Sequence, residues 1–219
     1  MSFFYFYTFE WLFLVCSLVT LQPKNQPYLR LLFAIALITV LAETVGYLLK
    51  NVWQQANHLV YNFSVPTIIL LFILFFRLQL NHKSNKQLLL WLTITYCLFI
   101  PINLIWIQGW QYFATYQYIA GALVLSMAAM MFLVELIKKP IPTSLITQPS
   151  FFTAAAVLIM YIPKSCLYAF FAYLSYIEQV SESFAATFQV TNLVLCIIFY
   201  ILLSIACLCP LLFKASKMQ

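Results

Sequence analysis

Charge is nearly missing from this chain. Lysine, arginine, aspartate and glutamate together make up 7% of its 219 residues, and aspartate does not occur at all. Ordinary soluble domains carry about a quarter charged residues, so there is too little polar surface here to face water. Glycine is almost as scarce: Gly46, Gly109 and Gly121 stand far apart, which excludes a glycine-rich phosphate loop and a nucleophile elbow. With no aspartate, and with His58 and His82 both in expected loops, the inward-facing His and Asp clusters of an intramembrane metal hydrolase are excluded as well. Neither a metal nor a cofactor is expected.

What the chain has is apolar length. Hydrophobic residues make up 65% of it, and a bilayer-spanning helix needs about 20 in succession. Continuous apolar runs predict spans over Phe3–Leu21, Tyr28–Leu49, Leu59–Leu80, Gln87–Ile107, Tyr112–Ile137, Ser150–Leu174 and Phe188–Phe213. The runs lack the apolar–polar alternation of a lipid-facing strand, so they read as helices. The expected fold is all-α: one seven-helix transmembrane domain over residues 1–219. Met1–Leu21 carries Glu10, has no basic start and has no small-residue cleavage site before Lys24, so it reads as the first span, not a leader.

The basic residues set the orientation. Lys24, Arg30, Arg77, Lys83, Lys86, Lys138, Lys139, Lys214 and Lys217 fall on one side, and only Lys50 on the other. Positive charge accumulates in cytoplasmic loops, which places the N-terminus outside and the C-terminus in the cytoplasm. Trp53, Trp106, Trp110 and Tyr112 then lie at the outer headgroups, with Glu178 and Glu182 in the last outer loop. A net charge of +6 spread over short loops is a topology signal, so nucleic acid is not an expected partner. The loop charges fit a bacterial inner membrane and a eukaryotic plasma or endoplasmic membrane equally well, and the lack of long loops favours the bacterial inner (cytoplasmic) membrane.

All six cysteines fall inside spans, where each serves as a small apolar side chain. Cys207 and Cys209 lie near the cytoplasmic end and are candidates for lipidation. Pro66, Pro101, Pro163 and Pro210 interrupt spans, and Pro149 suits a helix start.

Ionisable groups inside the hydrocarbon carry the functional reading, since each costs about 2.5–3.5 kcal/mol at the bilayer centre even on a lenient scale. Arg30, Arg77 and Glu135 lie near cytoplasmic helix ends and reach the interface or nearby basic groups. Lys164 does not escape. At the middle of span six it lies about 15 Å or more from either end at 1.5 Å per residue, so it must meet water, a carboxylate or the protein interior. Glu43 and Glu10, in the outer halves of spans two and one, are its candidate counter-ions.

Asn62, Ser64, Asn103, Gln117, Gln189 and Asn192 also fall in outer halves. Tyr161, Lys164 and Tyr168 share one helix face by their spacing, as do Tyr96 and Asn103. The expectation is an outward-open polar cavity near Lys164, lined by Glu43, Glu10, Asn62, Asn103, Tyr161, Tyr168 and Asn192. Buried polar groups that only bond helix to helix are the structural alternative.

Retinal proteins also combine seven helices with a buried lysine, but theirs lies in the seventh helix, and span seven here has none before Lys214. The expected function is a receptor-like, non-enzymatic protein that binds a small ligand from the outer side and signals through a membrane or cytoplasmic partner protein, since the short inner loops and tail could not signal alone. The rivals are a small solute or lipid transporter, a structural subunit of a larger membrane complex, and a lipid-modifying enzyme.

Overall fold

The computed structural model describes residues 2–21, 27–138, 147–176 and 181–215. They form α1 (Ser2–Val19), α2 (Pro27–Asn51), α3 (His58–Gln79), α4 (Lys83–Ile102), α5 (Thr115–Lys138), α6 (Pro149–Tyr176) and α7 (Glu182–Ala215), and no strand occurs among them. Helices α2 to α7 are each long and apolar enough to cross a membrane, and α1 contributes a shorter apolar stretch, Tyr7–Val19. The chain is therefore an all-α, multi-pass integral membrane protein. Lys24, Lys139, Glu178 and Lys217 lie outside the described residues.

The largest departure from the expected spans is at α7, which begins at Glu182 and not near Phe188. Ser181 accounts for it: its Oγ accepts a hydrogen bond from the Phe184 amide at 3.2 Å, capping the first turn. Glu182 thus belongs to the helix, where its charge suits the N-terminal dipole. His58, expected in a loop, opens α3. Pro149 is the first residue of α6, as its missing N–H favours. Beyond Pro101 the chain continues as a π-helical segment, Asn103–Ile107, closed by the Gln108 amide donating to the Asn103 carbonyl at 2.9 Å. A proline removes one ladder hydrogen bond, and a wider turn is one way to repair the register.

Six helices form a closed ring in the order α1, α2, α3, α5, α6, α7 and back to α1, while α4 stands outside it against α5 and α3. Composition explains the difference. Helix α5 buries Gly121, Ala122, Ala128 and Ala129, small residues that let neighbouring backbones approach. Helix α4 buries only Leu89 and Tyr96 and leaves Trp91 and Leu98 exposed.

Hydroxyls along the helices cost little, because Thr39, Thr44, Thr153 and Ser204 each donate to the carbonyl four residues earlier. The basic half of the ring is filled by apolar side chains, with Phe72, Phe75, Phe76 and Leu203 fully buried. Cys207 and Cys209 are buried too, so neither is placed for lipidation.

Candidate functional site

Five helices each present one face to an internal cavity of about 90 Å³. Helix α2 supplies Thr39, Ala42 and Glu43, α3 supplies Tyr61, Ser64, Val65 and Ile68, and α5 supplies Tyr118. Tyr161 and Lys164 come from α6, and Cys196, Phe199 and Tyr200 from α7. The spacings of three, four and seven within α2 and α3 are those of a single helical face.

Lys164 lies fifteen residues past the start of α6 and twelve before its end, which is about 22 and about 18 Å along the axis. Its ammonium donates to Cys196 Sγ at 3.8 Å and stands 5.8 Å from the Tyr118 ring centre and 6.0 Å from that of Tyr168. Contacts over aromatic rings contribute about 0.5–2 kcal/mol, and a thiol is a weak acceptor. These do not offset the desolvation of an ammonium, which amounts to several kcal/mol.

The remaining compensation comes from the carboxylates and from the cavity. Glu43 lines the same space as Lys164 and acts on it through space, without a direct ion pair. A volume of about 90 Å³ holds a handful of waters at about 10–15 Å³ each, enough to bridge the two charges.

Glu43 is held by Tyr61, whose hydroxyl donates to its Oε2 at 2.9 Å. That contact depends on Gly46, one turn along α2: a Cβ built there would lie 2.7 Å from Tyr61 Oη and 3.0 Å from its Cζ. Glycine in this helix interior is a cradle for the tyrosine ring. Glu10 is 1% exposed and faces the polar side chains of Tyr200, Glu43 and Lys164. A bond between Tyr7 Oη and Thr44 Oγ1 ties α1 to α2 above it.

The expected residues divide into two groups. Lys164, Glu43 and Tyr161 line the cavity, Glu10 lies beside it, and Tyr168 reaches Lys164 by its ring. Asn62, Asn103 and Asn192 are not among the lining residues. Asn62 is a clamp: its Nδ2 donates to the Tyr112 carbonyl at 2.9 Å, its Oδ1 accepts from the Ala114 amide at 2.9 Å, and its own carbonyl accepts from Gln117 Nε2 at 3.0 Å. Asn103 donates to Gln108 Oε1 at 3.1 Å at the π-helical segment. Asn192 has a buried Oδ1 without a partner. Tyr96, paired with Asn103 in the sequence reading, packs instead against Gly121 of α5.

On the side of Lys164 away from the basic half of the ring, the rings of Phe113, Tyr168 and Phe188 pack together, with Tyr168 centred 5.5 Å from Phe113 and 5.4 Å from Phe188. On the basic side Phe72 packs against Tyr161 and Phe199 at 6.5 and 5.9 Å. Tyr61, Tyr118, Tyr200 and Cys196 were not foreseen as part of the site. A signal existed for Tyr61, three residues from Ser64 on one face, and for Tyr118, next to the polar Gln117.

The chain matches no protein-family model, no curated protein and no solved structure. Among the described residues, no group of three or more His, Cys, Asp or Glu side chains is arranged to hold a metal ion.

Proposed function

We propose that this is a receptor-like membrane protein that binds a small ligand between Lys164 and Glu43. The observation that carries the reading is that two opposite charges face one cavity deep within the bilayer without closing on each other. A pair kept only for packing would lie in direct contact, because separation forfeits Coulomb energy while the desolvation cost remains. Groups held apart by Tyr61 on one side and by two tyrosine rings on the other are poised for something between them.

Transport is the weaker reading. A transporter site near the midplane needs an exit, and the phenylalanines packed on the basic side support a sealed floor. The short loops at the basic end support a membrane or cytoplasmic partner protein that reads a change in the bundle. The lack of long loops supports a bacterial inner membrane.

The test is thermal unfolding of the purified protein against a panel of small carboxylates, amines and single-chain amphiphiles. A ligand at 100 times its Kd adds about 2.7 kcal/mol to stability. The wild type is expected to gain Tm with at least one compound, and Lys164→Met to lose that gain. A Lys164→Met protein that keeps every response would overturn the reading.

A further inference from the structure

Beyond the internal cavity, a second hollow of about 330 Å³ lies on the lipid side of the bundle between α2 and α3, lined by Ile38, Leu41, Val45, Val60, Phe63 and Thr67 together with Ala42 and Ser64. Ala42 and Ser64 also line the internal cavity. Two of the smallest side chains in either wall are thus shared between the lipid-facing hollow and the space holding Glu43 and Lys164. Along the helix axis, aromatic rings pack on either side of that space. Ser64 lies six residues from the outer end of α3, and Ala42 nine from that of α2, which puts the junction about 9–14 Å inside the helix ends, in the outer leaflet.

We infer that the ligand comes from the membrane: a single-chain fatty acid whose tail lies in the α2–α3 groove and whose uncharged carboxyl head passes between Ala42 and Ser64 to Lys164 and Glu43. The inference rests on the binding reading above and adds the class of ligand and its route. Size supports it. A cavity of about 90 Å³ is smaller than the roughly 150 Å³ that admits benzene, so only a head of a few heavy atoms fits and the rest must stay outside.

Hydrogen-bonding capacity selects the head. Lys164 has three donors and meets one sulfur acceptor. The Tyr118 hydroxyl, 4% exposed, and the Ser64 hydroxyl have no partner. Donors and acceptors thus both stand at the cavity, the acceptors being the carboxylates of Glu43 and, beside it, Glu10. An undissociated carboxyl meets both needs: its carbonyl accepts from Lys164, its O–H donates to Glu43, and the net charge of the site is unchanged. Leu41, Val45 and Phe63, all exposed on the lipid side, offer the tail an apolar bed.

The test uses the full chain in proteoliposomes with palmitic acid carrying a photoreactive diazirine on its chain, with hexadecylamine and acetate as comparison probes. Crosslinks are expected on α2 and α3 around Val45, Phe63 and Thr67. Two variants obstruct the route without touching the charged groups: Ala42→Phe at the junction, and Thr67→Trp in the outer groove, which keeps the test valid if the first fails to fold. Each is expected to weaken palmitate binding at least tenfold, and acetate, which has no tail to fill the groove, is expected to bind every form of the protein far more weakly than palmitate binds the wild type.

Palmitate binding unaffected by a correctly folded obstructing variant would overturn the lateral route, although its loss in Lys164→Met would leave the binding site itself standing. Hexadecylamine binding as tightly as palmitate would overturn the carboxyl assignment. Palmitate binding insensitive to Lys164→Met would sink the underlying reading as well.

Discussion

Glu43 owes its position to a hydrogen atom on a neighbouring turn. Replacing Gly46 by alanine inserts a methyl group where Tyr61 now lies at 2.7 Å, and the tyrosine must withdraw from Glu43. A hydrogen bond to a charged group contributes about 1.5–3 kcal/mol, so Gly46→Ala is expected to lower the unfolding Tm by several degrees. Tyr61→Phe in the same background should add less than its effect alone, because the bond it would remove is already lost. Full additivity in that double-mutant cycle would show that Gly46 and Tyr61 are not coupled.

Asn62 makes the opposite case. Both ends of its side chain are committed to backbone groups of Tyr112 and Ala114, and each orphaned buried group costs about 1–3 kcal/mol. Asn62→Ala is expected to destabilise the protein and speed amide exchange at Ala114, with ligand affinity unchanged in the protein that remains folded. A selective loss of affinity at unchanged stability would return Asn62 to the site. Depth in the bilayer was legible in the sequence and found Lys164 and Glu43, because few places can hold a charge there. Direction was not: Asn62 lies as deep as Ser64, two residues on, yet one faces a loop and the other the cavity. Tyr61, Tyr118 and Tyr200 escaped notice because a phenol is inexpensive near an interface and the chain has 14 tyrosines.

Among the elements, α4 is the one held least by packing and most by a single carboxylate. Glu135, on α5 and 4% exposed, accepts from the Asn81 amide at 2.7 Å, the His82 amide at 3.3 Å and Asn85 Nδ2 at 2.7 Å, all at the start of α4. The sequence placed Glu135 near a helix end and gave it the interface or basic residues for company; its partners are instead the donors at a helix N-terminus, which attract a negative charge. Its partners lie about 50 residues away in the chain, and no local pattern announces them. Glu135→Ala is expected to cost about 2–4 kcal/mol and to raise amide exchange at Asn81 and His82 first, with Glu135→Gln intermediate because it retains one acceptor. Uniform acceleration over the whole bundle would mean that α4 does not depend on this anchor. That α4 stands outside the ring was equally illegible, since it is apolar on every side and a helix facing lipid looks in sequence like one facing protein.

At the scale of the molecule, the closed ring makes the cavity a chamber with a floor, and the floor decides between binding and passage. Phe72, fully buried, packs against Tyr161 and Phe199, two of the residues that line the cavity. Cys196, which also lines it, is a native reporter of access: silver ion is little larger than a water molecule and binds thiols. In a background with the other five cysteines replaced by alanine, silver applied from the basic face of sealed vesicles is expected to leave Cys196 unmodified. Phe72→Ala removes a ring from the floor. It should cost about 3–5 kcal/mol of stability, as large-to-small changes in packed cores do, and it should admit silver from that face. Modification of Cys196 from the basic face in the unaltered background would show that the floor is open, and the chamber would then have to be regarded as a pathway.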